Sequence, residues 1–149
     1  MKLLCSLAVA FSLLMFGGFG CSESPRSSIL PLFQDSLQMA GKENKKLIVL
    51  FSADWCPDCN ALDRILTSDS RIKELITNHY IILKVDVGRF DQNLDLDERL
   101  EHPIGKGIPA LVILNPSETI IATTKGGEFS NASKMSNEQV LNYLNRFAN

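Results

Sequence analysis

"LIVLFSADWCPDC", residues 47–59, is an apolar run that breaks directly into a pair of cysteines. Its first part, Leu47 to Ala53, is continuous and rich in β-branched residues. That pattern suits a strand covered on both faces of a sheet. Pro57 then stands where the first residue of a helix would, a position that tolerates its missing N–H. Cys56 is thereby predicted at the N-cap and Cys59 within the first turn. Three positions apart at a helix start, the two sulfurs face each other within bonding reach. Unpaired backbone N–H groups and the helix dipole point at Cys56 and favour its thiolate, lowering its pKa below the ~8.5 of a free cysteine. Cys56 is the expected attacking nucleophile, and Cys59, expected to be the more buried, the resolving thiol. The pair alone still leaves a redox couple, half of a metal site and a core-packing accident open.

Outward from this stretch the apolar spacing alternates between helix and strand. Ala61, Leu62, Ile65 and Leu66 repeat at helical intervals, as do Ile72, Leu75 and Ile76 within a second helix over Ser70 to Asn78. Tyr80 to Val87 reads as another buried strand. Residues 88–103 are polar and are expected to form a solvated loop with a short helix. Ala110 to Leu114 is a third strand, "NPSE" (115–118) a tight turn, and Thr119 to Thr124 a fourth strand closing a hairpin. Gly126 and Gly127 end it. Ser136 with Gln139 three positions on predicts a capping box for a last helix, whose apolar face is Val140, Leu141, Leu144 and Phe147. Upstream, Ile29, Leu30, Phe33, Leu37 and Ala40 mark a helix over Ile29 to Ala40, with Gly41 as its stop and "KENKK" (42–46) as a charged turn. Strands separated by helices are expected to run parallel and the final hairpin antiparallel. The predicted architecture is a small α/β sandwich on a mixed four-stranded sheet.

Composition bounds the partners. Fifteen Lys and Arg against 17 Asp and Glu give no basic footprint, which argues against nucleic acid. At the N-terminus Lys2 precedes an almost wholly apolar run from Leu3 to Phe16, followed by small residues up to Cys21. This is the pattern of a signal peptide over residues 1–20, too short for a comfortable membrane span. "GFGC" (18–21) resembles a bacterial lipobox, with Gly20 fitting and Gly18 departing from the usual leucine. That likeness implies lipidation at Cys21, a polar tether over residues 21–28, a domain over residues 29–149, and a periplasmic, membrane-anchored location.

With these elements in order, the chain resembles the thioredoxin superfamily. "ADWCPDC" (53–59) looks like its W-C-x-x-C active site, and "GKGIPA" (105–110) like its second signature, a loop ending in a cis-proline. The likeness extends over roughly Ile29 to Phe147, and is strongest to periplasmic and lipoprotein-type members, including the thioredoxin-like domain of the disulfide-transfer protein DsbD. It implies that the Ile108–Pro109 bond is cis and faces the cysteines, and that the backbone of Ile108 pairs with an extended substrate segment. Trp55, beside the reactive cysteine, is expected to shape the docking surface. Pro57 and Asp58 stand where thioredoxins have Gly-Pro, and are the expected redox-tuning pair. Asp58 should oppose the helix dipole at Cys56 and make the couple reducing, toward the ~−270 mV of thioredoxin and away from the ~−120 mV of DsbA. Two departures stand out. Leu50 is apolar where many thioredoxins carry an acid that helps deprotonate the resolving cysteine, and Asp58 is expected as the nearest replacement. Lys84 matches the family's strand lysine, but is expected to lack its acidic partner.

Metal readings find little support. Zinc takes about four ligands, and His79 and His102 lie far from the pair and from each other in sequence. "DQNLDLDERLEH" (91–102) briefly resembles a calcium loop but lacks its central glycine and final glutamate. The expectation is a monomeric thiol–disulfide oxidoreductase that reduces protein disulfides through Cys56 and Cys59. It would need no metal or organic cofactor, and an upstream dithiol donor, a membrane reductase, would recharge it. The competing expectation is a binding or assembly module whose disulfide is structural.

Overall fold

The computed structural model describes residues 28–149; the expected signal peptide over residues 1–20, Cys21 and the tether up to residue 27 lie outside them. The frame is built on β1 (Lys46–Ser52), whose five central residues are all buried. Its side chains alternate between two cores. Leu47, Val49 and Phe51 face a layer with Phe33, Leu37 and Ala40 of α1 (Leu30–Lys42). Ile48 and Leu50 face the opposite layer, with Leu62 and Leu66 of α2 (Pro57–Ser68), Ile72 of α3 (Ser70–His79) and Val140 and Leu144 of α5 (Asn137–Asn145). Period-two alternation on a strand with a core on each side explains why the sequence reads as one unbroken apolar run.

The sheet order is β2-β1-β3-β4, with β2 (Tyr80–Asp86), β3 (Ala110–Leu114) and β4 (Ile120–Thr123). The β1–β2 pair is parallel, and the β3–β4 hairpin antiparallel, as expected. The expectation of parallel strands wherever a helix intervenes fails at β3, which pairs antiparallel to β1. The reason is length. A parallel return needs a crossover that carries the chain back along the whole sheet. The connection holds only the six-residue α4 (Leu94–Arg99) and a short 3₁₀ turn, Pro103–Lys106. At ~1.5 Å per residue α4 rises about 9 Å, so the chain re-enters the sheet at the end where it left. The register then sets Phe51 opposite Ala110. The exit of β1 toward the cysteines and the entry of β3 from the proline loop therefore lie side by side.

Two local expectations also need correction. Gly41 does not stop α1, which runs on to Lys42; the reversal is made by Asn44 at φ 57°. Residues 88–103 are not a solvated loop throughout, since Leu96, Asp97, Leu100 and Pro103 are buried. At α5 the capping box forms as read, with Gln139 N donating to Ser136 Oγ and Ser136 N to Gln139 Oε1. Phe147 lies beyond the helix end but still packs on the second core.

Candidate active site

Cys56 adopts an extended backbone (φ −86°, ψ 112°) as the N-cap of α2, and Pro57 is the first helical residue. A turn closed by Cys56 N donating to Ala53 O at 3.1 Å swings the chain from the strand end into the helix. Cys56 and Cys59 form a disulfide with their α-carbons 5.2 Å apart. The backbone N–H of Cys59, one of the first-turn donors without a helical partner, donates to Cys56 Sγ at 3.1 Å. After reduction, this donor and the dipole of a 12-residue helix favour a thiolate at residue 56 over one at residue 59.

The two cysteines do not differ in burial as expected. Cys56 is 4% exposed and Cys59 5%. The cover over Cys56 comes from across the strand ends: the Ile108 carbonyl oxygen lies 3.6 Å from its sulfur. The Ile108–Pro109 peptide is cis, and both residues are buried. Gly107, just before them, has φ 108° and ψ −176°. Essentially only glycine adopts that backbone, which accounts for the glycine in this loop. Behind the loop, the buried carboxylate of Asp97 accepts from Ile104 N at 3.2 Å and meets His102 Nδ1 at 3.0 Å.

Trp55 is 48% exposed at the rim, and its indole N–H donates to Gly88 O at 2.7 Å. Phe90 stands edge-on to it, ring centroids 6.0 Å apart. Asp58 turns to the 3₁₀ turn Ala132–Lys134, where its carboxylate accepts from Ser133 N at 2.8 Å. Hydrogen bonds from the Ser133 side chain and backbone hold the Asp58 carboxyl below its usual range, so it is negative at neutral pH. It stays on the first turn of α2 and bears on Cys56 through charge, not contact.

Lys84 is not without an acidic partner. It pairs with Asp63, from the second turn of α2. Both line a polar cavity of about 110 Å³ together with Leu50, Ser52, Asp54 and Cys59. Leu50 leaves this wall apolar, and the acids beside Cys59 are Asp54 and Asp63; Asp58, the expected replacement, is instead turned to Ser133 and does not line the cavity. The signal was in the sequence: Asp63 follows Cys59 by four positions and so shares its helix face. Asp97 gave no such signal, and Phe90 only that of a single aromatic in a polar stretch. Among the described residues no group of three or more His, Cys, Asp or Glu could hold a metal, and no helix is long and apolar enough to cross a membrane.

This arrangement has relatives. A sequence model of the family described as "Thioredoxin-like" matches residues 29–116. A crystal structure of a disulphide isomerase from Xylella fastidiosa is 34% identical, with a TM-score of 0.78 over 86% of this chain and 97% of its own. Anterior gradient protein 3 of Mus musculus is 29% identical over 63% of this chain and 53% of its own length, and human nucleoredoxin is 33% identical over 58% and 24%. The chain thus spans about half, or less, of the length of these curated relatives.

Proposed function

Since the chain belongs to the thioredoxin-like family, we propose that it is a disulfide oxidoreductase that reduces protein disulfides through Cys56 and Cys59. The observation that carries this reading is the placing of both sulfurs at a helix start, one receiving the Cys59 N–H, opposite the cis-proline loop. In the first step the Cys56 thiolate attacks a client disulfide. One client sulfur bonds to Cys56, and the other leaves as a thiolate that takes up a proton. In the second step Cys59 loses its proton toward the polar cavity lined by Asp54, Asp63 and Lys84. The Cys59 thiolate attacks Cys56 Sγ and expels the second client thiolate. Two electrons have moved from the dithiol to the client, and Cys56–Cys59 is oxidised.

Turnover then requires a dithiol donor, for which a membrane reductase fits the proposed location. We place the protein in the bacterial periplasm, held at the membrane by a lipid on Cys21. That placement rests on the signal-peptide and lipobox-like patterns of residues 1–21. Trp55, Ile108 and Pro109 are the proposed client-binding residues.

One observation favours the other reading, a binding or assembly module. Both cysteines are nearly inaccessible, as a purely structural disulfide would be. Reduction of insulin by the wild type and by Cys56→Ser separates the two. The oxidoreductase reading expects wild-type activity well above the variant's; equal rates would leave the binding module.

A further inference from the structure

Phe90 does what a phenylalanine in a folded domain ordinarily avoids. It is 43% exposed and adopts a left-handed backbone, φ 64°. A bulky L-residue there is a backbone outlier, because its Cβ crowds the following carbonyl oxygen. Nothing in the core is gained in return, because the ring is set against Trp55, itself half exposed.

The loop that imposes this conformation is built in detail. Asp86 Oδ1 accepts from Gly88 N at 2.9 Å, and Asn93 Nδ2 donates to Asp86 O at 2.7 Å. Asp91 N and Gln92 N both donate to Val87 O, and Arg89 N donates to Asp91 Oδ1. Gly88 and Asn93 are left-handed as well. A Cβ on Gly88 would lie 2.4 Å from Asp91 Oδ1, the acceptor of Arg89 N, so a side chain there would have to displace that carboxylate, on a backbone already at φ 57°. The loop is then tied to the site by the Trp55 indole N–H on Gly88 O. The result is a rigid mount that holds one aromatic ring outward beside the tryptophan next to the reactive sulfur. An exposed ring at positive φ, on a loop cross-linked by these hydrogen bonds at the rim of the site, fits strain retained for recognition.

We propose that Phe90 is a specificity-determining residue. With Trp55 it forms an aromatic pair that receives a bulky apolar side chain flanking the client cysteine that bonds to Cys56. The inference rests on the oxidoreductase reading for its client, an extended polypeptide carrying a disulfide. The two rings are steeply inclined, edge to face (interplanar 62°), and both residues stay nearly half exposed, which leaves apolar surface for a third group.

The test compares two disulfide-linked peptide dimers, one with the cysteine flanked on both sides by Phe, the other by Ser. The readout is the ratio of their kcat/KM values, in which any general loss of activity cancels. Wild type is expected to prefer the Phe peptide by about five- to tenfold, the worth of one good aromatic contact. Phe90→Ala should bring the ratio to within about twofold, and Phe90→Trp should restore most of it. A ratio unchanged in Phe90→Ala, or no preference in wild type, overturns the proposal. Phe90→Gly relieves the backbone strain, so it should raise the melting temperature while erasing the preference; a lowered melting temperature would assign the ring to packing and also overturn it.

A second arm needs no turnover. With both Cys56 and Cys59 changed to Ser, binding of the S-methylated monomeric peptides is followed by the fluorescence of Trp55, the single tryptophan of the chain. The Phe peptide should bind more tightly by a similar factor, and equal binding overturns the inference. If wild type reduces neither peptide yet this difference persists, the oxidoreductase reading falls and the aromatic docking pair stands.

Discussion

The two walls of the site are made in opposite ways. Residues 53–59 leave a strand, turn once and start a helix, with no residue at positive φ and no cis peptide. Residues 87–109 contain six of the nine positive-φ positions found among the described residues: Gly88, Phe90, Asn93, Glu101, His102 and Gly107. They also contain the cis peptide. The first wall places Cys56, the proposed nucleophile, by rules that any helix N-terminus obeys. The second is a folded strap whose unfavoured conformations persist because buried hydrogen bonds and apolar contacts hold them. Chemistry can be delivered by generic local structure, whereas a surface that selects a partner needs side chains and carbonyls aimed where relaxed backbone would not put them.

The contrast is open to attack, and the heaviest blow falls on the strap. Gly107→Val puts a β-branched residue into glycine-only backbone, at an expected cost of up to about 3 kcal/mol. Insulin reduction should be lost while alkylation of reduced Cys56 by iodoacetamide keeps most of its rate. If both fall together, the walls are not independent. Asp97→Ala comes next. It removes the buried acceptor of Ile104 N–H, an expected loss of about 2 kcal/mol by chemical denaturation. Destabilisation below ~0.5 kcal/mol would mean that the strap is held by packing alone.

Smaller effects probe the other side. Tyr80, at the start of β2, donates its hydroxyl to Leu144 O at 2.7 Å, and Tyr80→Phe should cost about 1 kcal/mol at neutral pH. Burial pushes the Tyr80 phenol up to about 12 from its usual 10. A raised pKa of this kind stabilises fully below pH 10 and is lost as pH rises through 12. Tyr80→Phe should therefore flatten the alkaline limb of a stability–pH curve, and an unchanged limb would contradict the assignment. Least in size is Asp58→Asn. Removing a negative charge from the first turn of α2 should lower the Cys56 pKa, read from alkylation rate against pH, by a few tenths of a unit and shift the couple toward oxidising. A rise would refute the electrostatic role given to Asp58.

Much of the first wall was legible because its causes are local. An apolar β-branched run, a proline at the first helical position and a cysteine before it are neighbours in the chain. So are Ser136 and Gln139, whose capping box was read and formed. Most of the corrections share one physical source, contact between groups distant in the chain. Gly41 is the local exception, since α1 continues over it to Lys42. Lys84 was given no partner, because Asp63 reaches it from another element, 21 positions away. Residues 88–103 looked solvated because four of their acids are exposed, which hides the inward-facing Leu96, Asp97 and Leu100.

The sequence by itself determined where the strands and helices lie, which cysteine caps α2, and the kinship of the two motifs. Backbone propensity, capping and apolar periodicity act over a few residues, and such forces are written in consecutive letters. Only the tertiary structure decided that β3 runs against β1, that Asp63 meets Lys84, and that Phe90 stands beside Trp55. Those outcomes depend on how far a short connection can reach and on which distant groups bury one another, and no short window of residues contains that information.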